Sequence, residues 1–356
     1  MNDAIRIALL PGDGIGPEVT SVVRCVAEAI SDAHFVHLDL LQLDWGAERY
    51  LATGEAVPPG GFDVLRNCAA VFVGAFGDPR VLDFRHAREI LLGLRKELDL
   101  FVNLRPVRCF DESLNRLRGV RPEEIDIVFV RENTEGLYCG AGGTLSRGGR
   151  DELAIEEMIA TRTGVERVIR FAFEFAREHG RRRVTLVDKT NVLRHVGVLW
   201  QDVYEEIASG FDSLEHDHLF VDAAAYELVR NPGRFDVVVT ENLFGDVLSD
   251  LAAALQGGLG LAASANLHPG RTSMFEPVHG SAPELAGKGT ANPLAALASF
   301  ALLLRWVGEA RAAAAIDDAI VTLVRAGNVT PDLGGSSTTW EVGEAVRTAV
   351  MERLVA

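Results

Sequence analysis

The chain has 356 residues, 48% apolar and 24% charged, a balance that excludes a disordered, collagen-like or coiled-coil protein and leaves room for two or three domains. Its 51 acidic and 35 basic residues give a net charge of −16, which opposes nucleic-acid binding but not a small anionic substrate met by local arginines. The longest apolar stretch, Pro293 to Leu304, is too short for a membrane span and no secretory signal opens the chain, so a soluble, cytoplasmic protein is expected.

The first element is an apolar run, Ile5 to Leu10, followed by Pro-Gly-Asp-Gly and a helical pattern from Glu18 to Ile30. Gly12, Gly14 and Gly16 give G-x-G-x-G, not the G-x-G-x-x-G of a Rossmann site, so a tight strand-to-helix turn that needs glycine is the better reading. Further β-type runs lie at Ala69–Val73, Ile125–Val130, Val184–Val187 and Asp236–Thr240, with amphipathic helical stretches at 86–97, 163–178, 193–208 and 243–256. Continuous β-branched strands alternating with helices predict an α/β fold with a largely parallel sheet. The glycine-rich segment Tyr138–Arg150 breaks that rhythm and predicts an arm or hairpin. The last hundred residues read as helical and alanine-rich, and no repeat or linker marks a domain boundary. Cys25, Cys68, Cys109 and Cys139 form no C-x-x-C pair, so neither a zinc site nor a disulfide framework is expected.

Four groups of residues can carry chemistry. Arg95 closes a helical stretch, Arg105 follows in NLRP, and Arg131 ends the run Ile125–Val130, where open α/β sheets build ligand sites. Guanidinium forks bind carboxylates bidentately, so converging arginines point to a substrate with more than one carboxylate; the alternative is surface ion pairing. Asp246 and Asp250 lie four apart on one helical face, where their repulsion asks for a cation such as Mg²⁺ or Mn²⁺. Asp222, after another strand-like run, could complete that set; a merely solvated helix face is the competing reading. Lys189, in LVDKTNVL and one of only three lysines, is placed to act as a base, with Tyr138 as its acid counterpart or as a structural tyrosine. Residues 279–293, HGSAPELAGKGTANP, form a turn-rich loop with free backbone NH groups that suits an adenosine pocket, with Glu284 toward a ribose hydroxyl and against a 2′-phosphate.

Taken together, LLPGDGIGPEV, VGAFGDP, LRKELDLFVNLRPV, VRENTEGLY, VDKTNVL, TENLFGDVLSDLAA, FEPVHGSAPELAGKGTANP and GGSSTTWEV resemble the β-decarboxylating dehydrogenases, the family of 3-isopropylmalate, isocitrate, homoisocitrate, tartrate and D-malate dehydrogenases. The resemblance spans nearly the whole chain. It implies a two-domain α/β fold of the isopropylmalate/isocitrate dehydrogenase type, not a Rossmann fold. Residues 1–101 with 257–356 would form a discontinuous cofactor domain, and 102–256 a substrate, metal and dimerisation domain with an arm near 138–157. It also implies a homodimer with shared active sites, in which Arg95, Arg105 and Arg131 hold malate carboxylates. Asp246 and Asp250 would bind Mg²⁺ or Mn²⁺ with Asp222 of the other subunit. Lys189, also from that subunit, would help deprotonate the C2 hydroxyl, and Tyr138 would protonate the enol.

By the same resemblance NAD is the cofactor, held by Asn191, His279, Gly280, Ser281, Ala282, Pro283, Glu284, Leu285 and Asn292. Glu284 keeps the acidic charge that NAD-using relatives carry as aspartate, and Leu285 adds no basic group for NADP. Leu91 and Leu92 match the apolar pair that receives the branched alkyl group of 3-isopropylmalate. Arg88 stands where well-studied isopropylmalate enzymes carry glutamate, and RENTEGLY is also found in isocitrate, tartrate and malate enzymes. The substrate favoured is therefore 3-isopropylmalate, the leucine-pathway malate, with D-malate, tartrate or an isocitrate-type substrate as alternatives. A regulatory subunit would lack the tyrosine, lysine or aspartates, and all five are present.

Overall fold

The computed structural model describes residues 4–355. The elements run β1 (Ile5–Gly12), α1 (Gly16–Asp32), β2 (Leu38–Gln42), α2 (Ala47–Thr53), α3 (Gly61–Arg66), β3 (Ala70–Ala75), α4 (Arg85–Glu97), β4 (Val102–Arg108), β5 (Asp126–Glu132), β6 (Gly142–Leu145), β7 (Leu153–Glu156), α5 (Arg162–Glu178) and β8 (Arg183–Asp188). They continue with α6 (Val196–Ala208), β9 (Glu215–Phe220), α7 (Val221–Arg230), β10 (Val237–Thr240), α8 (Asn242–Leu255), β11 (Ala263–Leu267), β12 (Ser273–Pro277), α9 (Leu294–Trp306), α10 (Ala310–Ala326) and α11 (Thr339–Val355).

Ten strands form one sheet in the order β2-β1-β3-β12-β11-β4-β5-β10-β8-β9. The expectation of a largely parallel sheet holds on its two wings only. The three central pairings, β12 with β11, β11 with β4 and β4 with β5, are antiparallel. Parallel neighbours need a crossover, usually helical. The Pro269-Gly270 turn between β11 and β12 is too short for one, and the segment from β4 to β5 contains only a single 3₁₀ turn, Pro122–Glu124. The last hundred residues thus hold two strands as well as the expected helices. Three reversals are an odd number, so β5, β10, β8 and β9 run opposite to β1, β3 and β12, and the carboxyl ends of the two wings lie at opposite edges. Strands from 1–101 and 257–356 fill one half of the sheet, and strands from 102–256 fill the other.

Alternation along β1 divides the core. Ile7 and Leu9 face a cluster with Phe72, α1 and α9, whereas Ala8 and Leu10 face Val71, Val73 and the Ile90 and Leu94 side of α4. Helix α1 buries Val19, Val22, Val23, Val26 and Ile30, the spacing of one helical face, and each such side chain contributes about 2 kcal/mol of hydrophobic stabilisation. The segment beyond Tyr138 is indeed a hairpin. β6 and β7 pair only with each other, and Leu145, Leu153 and Ile155 are exposed on it.

The glycine-rich turn after β1 is a packing device. Gly12 has φ +73°, and a Cβ there would stand 1.9 Å from the Ala75 carbonyl oxygen; at Gly14 it would stand 2.0 Å from that of Ser281. Between them, buried Asp13 accepts hydrogen bonds from the Ala47 amide at 2.6 Å, the Gly77 amide at 2.8 Å and His86 Nε2 at 2.8 Å. One carboxylate therefore ties the β1–α1 turn to three other segments, including the first turn of α4. Gly12→Ala should cost about 3 kcal/mol in urea unfolding, because strain and a backbone clash add, whereas Gly54→Ala, also left-handed but in open space, should cost about 1 kcal/mol. Equal losses would show that the turn yields and the close approach is unimportant.

Candidate active site

Helix α4 presents two faces. Ala87, Ile90 and Leu94 point into the core, while Arg88, Leu91, Leu92 and Arg95, spaced i, i+3, i+4, i+7, form a stripe on the other side. That stripe, with Leu137, Tyr138 and Glu156, lines a cleft of about 520 Å³. Arg88 is exposed, and Leu91, Leu92 and Arg95 are half-buried.

The inner end of the cleft holds the charged cluster expected from the arginine and aspartate series. Arg131 is 1% exposed at the end of β5, and its Nη1 donates to Asp246 Oδ1 at 2.5 Å. Arg105 Nη2 reaches the same oxygen at 3.3 Å, and its Nη1 reaches Asp250 Oδ1 at 3.0 Å. The Tyr138 hydroxyl donates to Asp246 Oδ2 at 2.8 Å, and the Arg131 guanidinium lies 5.1 Å from the centre of the tyrosine ring. Arg95 and Arg105 each keep a buried Nε without a partner.

Residues not singled out from the sequence hold this cluster in place. Asn242 accepts from Arg131 through both its backbone and its side-chain oxygen, at 2.7 and 2.6 Å. A Cβ on Gly245 would stand 2.6 Å from Arg131 Cγ, so this glycine lets α8 lie directly against the arginine stem. Glu241 caps α8 by accepting from the Leu243 and Phe244 amides at 2.9 and 2.6 Å. Buried Glu132 accepts from Thr134 and Glu135 and closes the turn that leads to Tyr138. The Glu-Asn pairs in RENTEG and TENLFG were the available signal: a short polar pair just past an apolar strand is capping chemistry.

Electrostatics separate the two aspartates. Burial works to raise the Asp246 carboxyl, but Arg131, Arg105, the Tyr138 hydroxyl and Arg95 outweigh it and hold the group below its ordinary value. Asp250 moves the other way. Burial and the neighbouring Asp246 raise it, and Arg105 offsets them only in part. Burial, followed by the Asp246 bond, raises the Tyr138 hydroxyl, which stays protonated at neutral pH. Burial, with Arg105 alongside, pushes Arg131 down to about 10, still charged at neutral pH.

The other expected residues occupy two separate places. Lys189 sits just past β8, and its Nζ pairs with Asp222 Oδ1, at the start of α7, at 2.5 Å. Asn191 is exposed on the same loop. Asp222 does not join Asp246 and Asp250 within the chain, and among the described residues no three His, Cys, Asp or Glu side chains converge as a metal site. The loop after β12 packs on the β1–α1 turn, where the Ile15 amide donates to the Ser281 carbonyl at 2.8 Å. Gly280, Pro283 and Glu284 are exposed there, Leu285 is half-buried, and Ala282 holds a strained φ of +36°. His279 keeps a buried Nε2 without a partner, and burial lowers its imidazole, leaving it neutral. The Asn292 side chain is already engaged: Oδ1 accepts from the Leu294 amide at 2.9 Å and Nδ2 donates to Asp332 at 2.9 Å. No helix among the described residues is long and apolar enough to cross a membrane.

The isocitrate/isopropylmalate dehydrogenase family model matches residues 6–346. The chain belongs to that family. Within the isocitrate/isopropylmalate dehydrogenases it is 46% identical over 353 residues to the 3-isopropylmalate dehydrogenase of Thermobifida fusca strain YX, covering 98% of each chain. It is 45% identical over 352 residues to that of Streptomyces griseus subsp. griseus, covering 98% of this chain and 99% of the relative. The crystal structure of isocitrate dehydrogenase from Methylococcus capsulatus superposes with a TM-score of 0.88 at 38% identity, covering 97% of this chain and 99% of the other. A β-decarboxylating dehydrogenase from Thermococcus kodakarensis gives 0.79 at 36% identity, covering 98% and 96%.

The opposite shifts at Asp246 and Asp250 set a pH dependence for the metal-free family member. Asp246, depressed in the fold, contributes stability at neutral pH that is lost as pH falls through its folded pKa. Asp250, raised in the fold, makes its ionisation a cost above that pKa. In urea titrations at pH 7 with chelator, Asp246→Asn should lower the midpoint and Asp250→Asn should raise it. Shifts of the same sign would contradict this electrostatic picture.

Proposed function

We propose that the chain is an NAD-dependent 3-isopropylmalate dehydrogenase, converting 3-isopropylmalate to 4-methyl-2-oxopentanoate and CO₂. The observation that carries this reading is the cleft itself: an apolar wall of Leu91, Leu92 and Leu137 ends at Arg95, Tyr138 and the Arg105–Arg131 cluster. That juxtaposition suits a dicarboxylate bearing a branched alkyl group. The half-buried guanidinium of Arg95, where the apolar wall meets the cluster, suits one of its carboxylates.

A second copy of the chain would complete the site. Asp246 and Asp250 offer hard oxygen donors of the kind Mg²⁺ and Mn²⁺ take, and the third carboxylate, Asp222, would come from the partner together with Lys189 and Asn191. The exposed apolar residues of the β6–β7 hairpin support such an assembly, since an isolated two-stranded hairpin is marginal in water. The cofactor would lie on the loop from His279 to Leu285, whose free imidazole nitrogen and exposed backbone fit an adenosine, with Glu284 toward the ribose and Asn292 anchoring the loop. The two halves of the sheet then act as a cofactor domain and a substrate domain.

Bound at these residues, NAD would supply the hydride acceptor and a divalent ion the Lewis acid that loss of CO₂ requires. Arg95, Arg105 and Arg131 orient the malate carboxylates. Lys189 takes the proton from the C2 hydroxyl, the neutral amine being the form that can accept it, and Asp222 positions its Nζ. Tyr138, kept protonated by burial and by Asp246, delivers its proton to C3.

Initial rates with NAD and Mn²⁺ on 3-isopropylmalate, D-malate, tartrate, isocitrate and homoisocitrate test the reading, with NADP run in parallel. A kcat/KM preference of about 100-fold for 3-isopropylmalate is expected, and it should shrink in Leu91→Ala. A preference for D-malate or tartrate would make the leucine pair structural. Lys189→Ala should lower kcat by at least about 100-fold while gel filtration shows the assembly unchanged. Retained turnover would remove the proton-transfer role.

A further inference from the structure

We infer that Glu156, on the arm hairpin, sets the charge preference of the cleft by balancing Arg88 across its mouth. This rests on the substrate reading above and extends it to a residue outside the reacting machinery. Arg88 and Arg95 lie two helical turns apart on α4, about 10 Å along the axis. A malate anchored at the arginine cluster therefore projects its C3 substituent past Leu92 and Leu91 toward Arg88.

The charges around that mouth can be placed. Arg85 is engaged by Glu89 at 2.7 Å. Among the described residues, Arg88 has one acidic partner, Asp83, at 3.9 Å between two exposed side chains, a weak attraction. Glu156 forms no ion pair among the described residues, yet it lines the same cleft from β7. Left alone, Arg88 would draw a substituent ending in a carboxylate. With Glu156 lining the same cleft that pull is offset, and the apolar wall decides in favour of an alkyl group.

The test is the ratio of kcat/KM for 3-(2-carboxyethyl)malate to that for 3-isopropylmalate. In Glu156→Gln the ratio should rise about fivefold, carried by KM. In Arg88→Gln, where Glu156 is left unbalanced, it should fall by a similar factor, and in the double variant it should return toward the wild-type value. An unchanged ratio in both single variants, or shifts in the same direction, would overturn the inference. Should wild-type protein fail to oxidise 3-isopropylmalate, the substrate reading falls. The charge preference is then read from competitive inhibition by the two malates against the malate that is turned over, with the same expected signs.

Discussion

Three antiparallel pairings at the centre of the sheet determine where everything else can stand. Being odd in number, they leave the two wings running in opposite directions, so the loop-bearing carboxyl ends of the two wings fall at opposite edges. The loop after β12 on one wing, proposed above for the cofactor, and the acidic cluster on the other would then be separated by the height of the sheet. Helix α4 spans that gap. Its first turn is held by the His86–Asp13 contact beside the β1–α1 turn, and its last turn places Arg95 next to Tyr138 and Arg131. Nine residues of helix make a distance of about 14 Å between the β1–α1 turn and the arginine cluster.

The charged cluster illustrates how a buried guanidinium is made tolerable. Arg131 is almost wholly buried with Arg105 nearby, an arrangement that desolvation and like-charge repulsion both oppose. Asp246 supplies the countercharge, Asn242 satisfies the remaining donors, and Gly245 removes the side chain that would have kept α8 away. The same carboxylate that neutralises Arg131 also holds the Tyr138 hydroxyl. Substrate carboxylates or a divalent ion entering this cluster would exchange partners within an already polarised network rather than create one in an apolar core.

The alternation of strands and helices was legible because the strands are apolar on both faces and the helices carry regular stripes; β1, β3, β5, β8 and β10 fall within a few residues of the apolar runs that announced them. β2 was not, since LDLLQ lies at a sheet edge and mixes charge with apolar residues, and β9, the other edge strand, EHDHLF, showed only as the strand-like run before Asp222. β11 was hidden in the small-residue sequence ASANL and β12 in the short SMFEP, whose strand identity comes from neighbours rather than propensity. At the candidate site, the arginines, Tyr138, Asp246 and Asp250 could be named from sequence because their chemistry is conspicuous. Asn242 was signalled only as part of a capping pair, and Gly245 and Asp13 not as site residues at all, because their value lies in contacts with residues more than thirty positions away.

Helix α4 carries a division of labour with an evolutionary consequence. On the proposed reading its outward stripe would meet the variable part of a substrate, whereas the groups that would move protons and charge sit on β4, β5, α8 and the turn bearing Tyr138. The core face, Ala87, Ile90 and Leu94, keeps the helix seated whatever occupies positions 88, 91 and 92. A lineage can therefore rewrite its choice of substrate through two or three outward-facing codons, while the reaction chemistry and the hydrophobic core are inherited untouched.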